Sequence, residues 1–128
     1  MKYYYEKTIR GEFGHAINKV KESLANEGFG VLTEIDVRKT FKTKLDIDFR
    51  NYIILGACNP PNAYKALIAE DKIGILLPCN IVVQEIDDQV IEVAAVDPAV
   101  AMGVVVNTDL ESVAGEVREK LIRVIDSL

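Results

Sequence analysis

Two cysteines carry most of the reactive chemistry in this 128-residue sequence. Cys58 stands in GACNPPNAYKAL (residues 56–67) and Cys79 in LLPCNIVV (residues 76–83). Each is followed by an asparagine, Asn59 or Asn80, and each lies near a proline. A thiol just before a helix N-cap feels the positive end of the helix dipole, which favours the thiolate and hence a nucleophile or metal ligand. The plainer alternative is a small buried hydrophobe at the end of a central strand. Acting together, Cys58 and Cys79 would make a two-thiolate metal site or a reversible disulfide, provided their sulfurs meet. No Cys-x-x-Cys spacing is present. Two ligands fall short of the four that a structural zinc prefers, whereas a soft monovalent metal accepts two thiolates. Asp97, before Pro98, is a further candidate ligand or base, although Asp-Pro is commonly turn chemistry. His15 is the one histidine. It falls about 160° around its helix from the apolar stripe and should face water. That removes the Cys-His pair on which thiol catalysis usually rests.

The elements that must position these residues follow from periodicity. KYYYEKTI, residues 2–9, alternates and is aromatic, as a strand would be, with Tyr3, Tyr5 and Ile9 on one face. Phe13, Ala16, Ile17, Val20 and Leu24 then form a helical stripe that Gly28 ends. Residues 29–37 are expected as a strand, and residues 38–50 as a short helix or turn. Its Arg38, Lys39, Lys42 and Lys44 make a basic run that suits a solvated face. NYIILGAC, residues 51–58, is apolar on both parities and reads as a central, covered strand. Asn59 caps a short helix with Pro60 in its first position, where the missing N–H costs nothing. Residues 79–86 and 89–96 form a hairpin with its turn at Asp87-Asp88. DPAVAMGVVVN, residues 97–107, reads as a loop with a short strand. Thr108 and Glu111 form a capping box for the last helix. Leu110, Val113, Ala114, Val117, Leu121, Val124, Ile125 and Leu128 share its apolar face. The plan is α+β: a mainly antiparallel sheet with two long amphipathic helices on one face and a short inserted helix.

Length is right for one domain over residues 1–128, large enough to need no disulfide or metal for stability. A net charge of −5 disfavours nucleic acid, whose phosphates call for Lys and Arg. The longest apolar run, from Ile73, is too short to cross a bilayer and contains a proline. With no secretory h-region and two unpaired cysteines, a reducing cytoplasm is expected.

The segments ACNPPNAYKAL and LLPCNIVVQE, with Val96-Asp97-Pro98 further on, resemble the family catalogued as domain of unknown function 302. The resemblance covers nearly the whole chain. It implies a single copy of a TATA-binding-protein-like fold, a curved antiparallel sheet crossed by two helices, and pairing as a homodimer. Its recurrent positions carry over onto Cys58, Asn59, Pro60, Leu77, Pro78, Cys79, Asp97 and Pro98. No activity comes with it, and the fold does not imply DNA binding.

Three functional classes stand. The first is a non-enzymatic homodimeric binding domain for a small apolar molecule or a soft metal, with Cys58, Asn59, Cys79, Asn80 and Asp97 about its site. The others are a dimeric scaffold without ligand, and a thiol enzyme or redox sensor using Cys58. The missing base weighs against catalysis, and no particular cofactor is indicated. Slow alkylation of both thiols in the folded protein is expected if neither is activated.

Overall fold

The computed structural model describes residues 2–128; Met1 lies outside the described residues. Five strands, β1 (Tyr4–Arg10), β2 (Gly30–Asp36), β3 (Tyr52–Cys58), β4 (Cys79–Asp87) and β5 (Val90–Val96), form one antiparallel sheet that does not close. Their order is β1-β5-β4-β3-β2. Helix α1 (Phe13–Asn26) links β1 to β2, α2 (Val37–Leu45) links β2 to β3, and α3 (Pro60–Ala69) follows β3. A short helix α4 (Pro98–Ala101) follows β5, and α5 (Thr108–Asp126) is the longest helix.

Alternation along the strands decides which face is covered. Ile53, Leu55 and Ala57 of β3, Cys79, Ile81 and Val83 of β4, and Ile91, Val93 and Ala95 of β5 are buried on one face. On that face lie Ala16, Ile17, Val20 and Leu24 of α1 and the whole expected stripe of α5, with Phe13 and Leu128 half-buried at its margins. Two polar contacts lock the helices to each other. Ser23 Oγ donates to the Val124 carbonyl at 3.0 Å, and the Arg123 guanidinium lies 2.9 Å from the Glu27 carboxylate. The expected α+β arrangement, with both long helices on one side of the sheet, is thus observed. His15 is exposed on α1, as its angular position requires.

Three local expectations differ. The β4–β5 turn falls at Asp88-Gln89, because β4 carries a bulge after Glu85 and Asp87 stays in the strand. Gln89 takes a left-handed φ of 55°, and its N–H is held by the Glu85 carboxylate. The cap of α5 is Asn107, not Thr108. The short Asn107 side chain reaches the N–H groups of Asp109 and Leu110, leaving Thr108 inside the first turn. Residues 98–104 are helical rather than a loop with a strand: Asp97 caps α4, with Pro98 in the first turn, and a 3-10 turn covers Met102–Val104. A second 3-10 segment, Asp71–Leu76, brings the chain from α3 to Pro78. None of these changes the layer arrangement; the turn and the α5 cap only move the ends of elements, where capping groups compete over one or two residues.

Candidate functional site

The two Cys-Asn corners lie at one end of the central strands. Ala57 is the cross-strand partner of Cys79, so Cys58 stands one residue along from it on the neighbouring strand. Cys79 faces the helix-covered side and is buried; Cys58, the last residue of β3, is half-buried. Both line a cavity of about 320 Å³. One wall is Asn62, Ala63, Ala66 and Leu67 of α3, and the opposite wall is Val113, Ala114 and Val117 of α5. Leu77, Pro78, Pro98 and Met102 close the end, with Phe29 and Leu32 at the β2 side.

Asn59 caps α3, with Pro60 at the first helical position. Its Oδ1 accepts from the Asn62 N–H at 3.3 Å, and its Nδ2 donates to the Glu27 carbonyl at 3.2 Å. This ties the C-terminal end of α1 to the N-terminal end of α3. The adjoining Gly28 has φ 82°, and a Cβ there would meet Asn59 Nδ2 at 3.1 Å. Gly28 therefore serves both the left-handed end of α1 and the close approach of the Asn59 amide. Asn59→Ala should cost about 1–2 kcal/mol, the range for a lost helix N-cap, read as a lower urea midpoint at unchanged slope. A midpoint equal to wild type would show that Asn59 is not a structural cap.

Asn62 was not singled out in the sequence, yet it is buried on the cavity wall. Its Nδ2 donates to Glu116 Oε2 and its Oδ1 accepts from Lys120 Nζ, both at 2.9 Å. The amide is held in one orientation between two charges of α5. The polar side-chain atoms of Asn59 and Asn62 are therefore engaged within the protein. No buried side-chain nitrogen or oxygen lacks a partner among the described residues. Burial, with a smaller contribution from nearby Cys58, pushes the Cys79 thiol up to about 11, so it is a proton-bearing group at neutral pH.

The other candidates lie elsewhere. Asn80 is exposed on the opposite face of the sheet, beside Val82 and Gln84. Asp97 is not on the cavity wall. One of its carboxylate oxygens accepts from the Ala99 N–H at 3.0 Å and the other from Arg118 Nε at 3.0 Å. It caps α4 and anchors that segment to α5. A broader cleft of about 800 Å³ runs past Asp97 and Arg118 to Tyr4 and Tyr5, but those two charges are engaged with each other. His15 has only Glu12 beside it, at 4.0 Å. Among the described residues no group of three or more His, Cys, Asp and Glu side chains is placed to hold a metal ion. The site is thus Cys58, Cys79, Asn59 and Asn62 around an apolar cavity, without Asn80 or Asp97. No helix among the described residues is long and apolar enough to cross a membrane.

No curated protein matches the chain. The chain is similar to the crystal structure of an uncharacterized conserved protein, DUF302, from Bacillus stearothermophilus, with a TM-score of 0.90 and 27% identity over 98% of both chains. Residues 5–128 match the model of the domain of unknown function DUF302. The likeness carried by ACNPPNAYKAL and LLPCNIVVQE therefore extends along the chain from β1 to α5, and the chain belongs to the DUF302 family.

Proposed function

We propose that this domain binds a small, uncharged, largely apolar molecule in the cavity beside Cys58 and Cys79, and does so as a homodimer. One observation carries the choice of ligand. The nitrogen and the oxygen of each side-chain amide on the wall, those of Asn59 and Asn62, already have a partner inside the protein. A polar ligand would lose its hydration to a wall whose few polar side chains are already held by the protein, whereas an apolar one gains burial against Phe29, Leu77, Met102 and Val117. The volume lies at the small end of the range of about 300–1,000 Å³ for small-molecule sites. The described residues lining the cavity include no histidine or carboxylate to serve as a base for either thiol, which favours binding over catalysis. Two free thiols on one wall suit a reducing cytoplasm.

The test uses N-phenyl-1-naphthylamine, an uncharged probe that fluoresces in apolar surroundings. Wild type should bind it saturably. Ala63→Phe places a ring in the cavity from a half-exposed position on α3 and should weaken binding by about tenfold or more, the effect of losing roughly 1.4 kcal/mol. Equal binding by both proteins, or none by wild type, would rule out the cavity as a site for an apolar ligand.

The dimer is supported by large apolar side chains left on the surface of the single chain. Leu32 and Ile35 lie on the unpaired edge strand β2, and Val104 and Val106 in the segment before α5 are at least 80% exposed. Sedimentation at micromolar protein should give twice the 14.2 kDa chain mass, and a clean monomer would remove the homodimer. We also read the order of one strand, one helix, four further strands and a long helix as a single copy of the TATA-binding-protein-like topology. The net charge of −5 supports no extension of that likeness to DNA.

A further inference from the structure

We propose that the same cavity is a binding site for a soft monovalent d10 cation, copper(I) in chemical class, held by three sulfur atoms: Cys58 Sγ, Cys79 Sγ and the thioether of Met102. The inference deepens the reading of the cavity as a binding site and rests on its being accessible, but not on the apolar ligand. The chain has two cysteines and two methionines. Three of those four sulfur-bearing residues line this one cavity, and the fourth is Met1, outside the described residues. They come from three separate segments: the end of β3, the start of β4, and the 3-10 turn after α4. Neighbouring strands lie about 4.8 Å apart with a rise of about 3.3 Å per residue, so the offset register puts the two cysteine backbones roughly 6 Å apart. Successive residues of a strand alternate faces, but Cys58 is the last residue of β3 and lines the cavity together with Cys79, and that shared lining is what places both thiols at one site.

The rest of the wall selects the ion. It carries no histidine, aspartate or glutamate, and its two asparagine amides are engaged. A hard cation such as magnesium or calcium finds no carboxylate there, and zinc finds too few ligands for its four-coordinate preference. Thiolate with thioether is the donor set that copper(I) takes, and an apolar cavity suits its low coordination number. Binding breaks the two S–H bonds, forms two sulfur–metal bonds and one thioether contact, and releases two protons to solvent. No electron is transferred. The bound set carries one net negative charge, against two for a bare thiolate pair.

The experiment is an anaerobic titration of the full chain with copper(I) in competition with the chelator bicinchoninate. Silver(I) serves as a second probe, counted by native mass spectrometry. One equivalent should be withheld from the chelator, with about two protons released per ion. Cys58→Ser and Cys79→Ala should each weaken retention by about 100-fold or more and Met102→Leu by about 10-fold, on the scale of the roughly 10–100-fold that loss of even an outer-shell partner costs a metal site. Circular dichroism and urea midpoints confirm folding, and Met102→Leu keeps the side-chain volume, so its result reads the thioether alone. No retention by wild type, or full retention in Met102→Leu, overturns the three-sulfur site. Probe binding without copper retention removes this inference and keeps the apolar-ligand reading; copper retention without probe binding does the reverse.

Discussion

Gly56→Ala is expected to lower stability by about 2–3 kcal/mol, while the same substitution at Gly115 raises it by about 0.5–1 kcal/mol. Gly56 lies in β3 on the face away from the long helices, opposite Thr33 of β2 and Asn80 of β4. A Cβ there would run into Thr33 Oγ1 and come within 2.7 Å of Pro78 Cγ. Neither neighbour is the loose end of a long side chain: one is a γ-oxygen on an edge strand, the other a proline ring next to Cys79. Relief requires β2 or the Leu77-Pro78 corner to move, which is the overpacking cost of a close-packed interior. Gly115 lies inside α5, and a Cβ there meets nothing within 4 Å. Alanine removes unfolded-chain entropy at that position without a clash. Urea midpoints of both variants check the pair. Thr33→Ala in the Gly56→Ala background should restore part of the loss, because it takes away the nearer obstacle; the Thr33 Cβ would stay at an ordinary 3.5 Å. A Gly56→Ala protein within about 0.5 kcal/mol of wild type would show that β2 and Pro78 part freely, and that their closeness does not set the strand ends presenting the two thiols.

The layer arrangement was legible because it rests on periodicity over many residues. The stripes Ala16, Ile17, Val20 and Leu24, and Leu110 to Ile125, are both buried where a period of 3.6 puts them. Asn59-Pro60 was legible because both residues favour a helix start for independent reasons, one by accepting an N–H and the other by lacking one. Asn107-Thr108 was not, because two adjacent residues can each cap a helix, and the choice depends on where the chain arrives from the 3-10 turn before it. That turn also hid Met102. Between Pro98 and Gly103 the segment is too short for periodicity, and an apolar methionine there looks like any filler. Asn62 carried one signal, an asparagine in the first turn of a helix, but its contacts with Glu116 and Lys120 span 54 and 58 residues. Asn80 and Asp97 show the converse: each sits beside a proline or cysteine in the sequence, yet strand alternation turns Asn80 outward and capping occupies Asp97.

Cys79 should resist alkylation in the folded, metal-free protein, and its burial should make the protein weaken in alkali. A rise in the thiol's pKa from 9.0 to about 11 leaves about 100-fold less thiolate at neutral pH, and only the thiolate attacks a reagent such as iodoacetamide. The 7% exposure of the residue slows access further. Labelling at neutral pH followed by peptide mass spectrometry should therefore find modified Cys58 long before modified Cys79, until urea unfolds the chain. The linkage has one direction. Between pH 9 and 11 the folded state keeps a proton on Cys79 that the unfolded chain has released. Stability contributed by the neutral thiol is complete below pH 9 and is lost as pH rises through about 11, by about 2–3 kcal/mol in all. The Tyr5 hydroxyl, raised by its hydrogen bond to Asp126, titrates in the same direction, so the wild-type curve alone does not isolate the cysteine. Cys79→Ala does: it loses packing equally at every pH but keeps Tyr5, and its urea midpoint should fall less steeply than wild type between pH 8.5 and 10.5. Parallel curves for the two proteins, or Cys79 labelled as fast as Cys58 in the native state, would mean that the cavity admits water to this sulfur and that the wall is wetter than an apolar ligand needs.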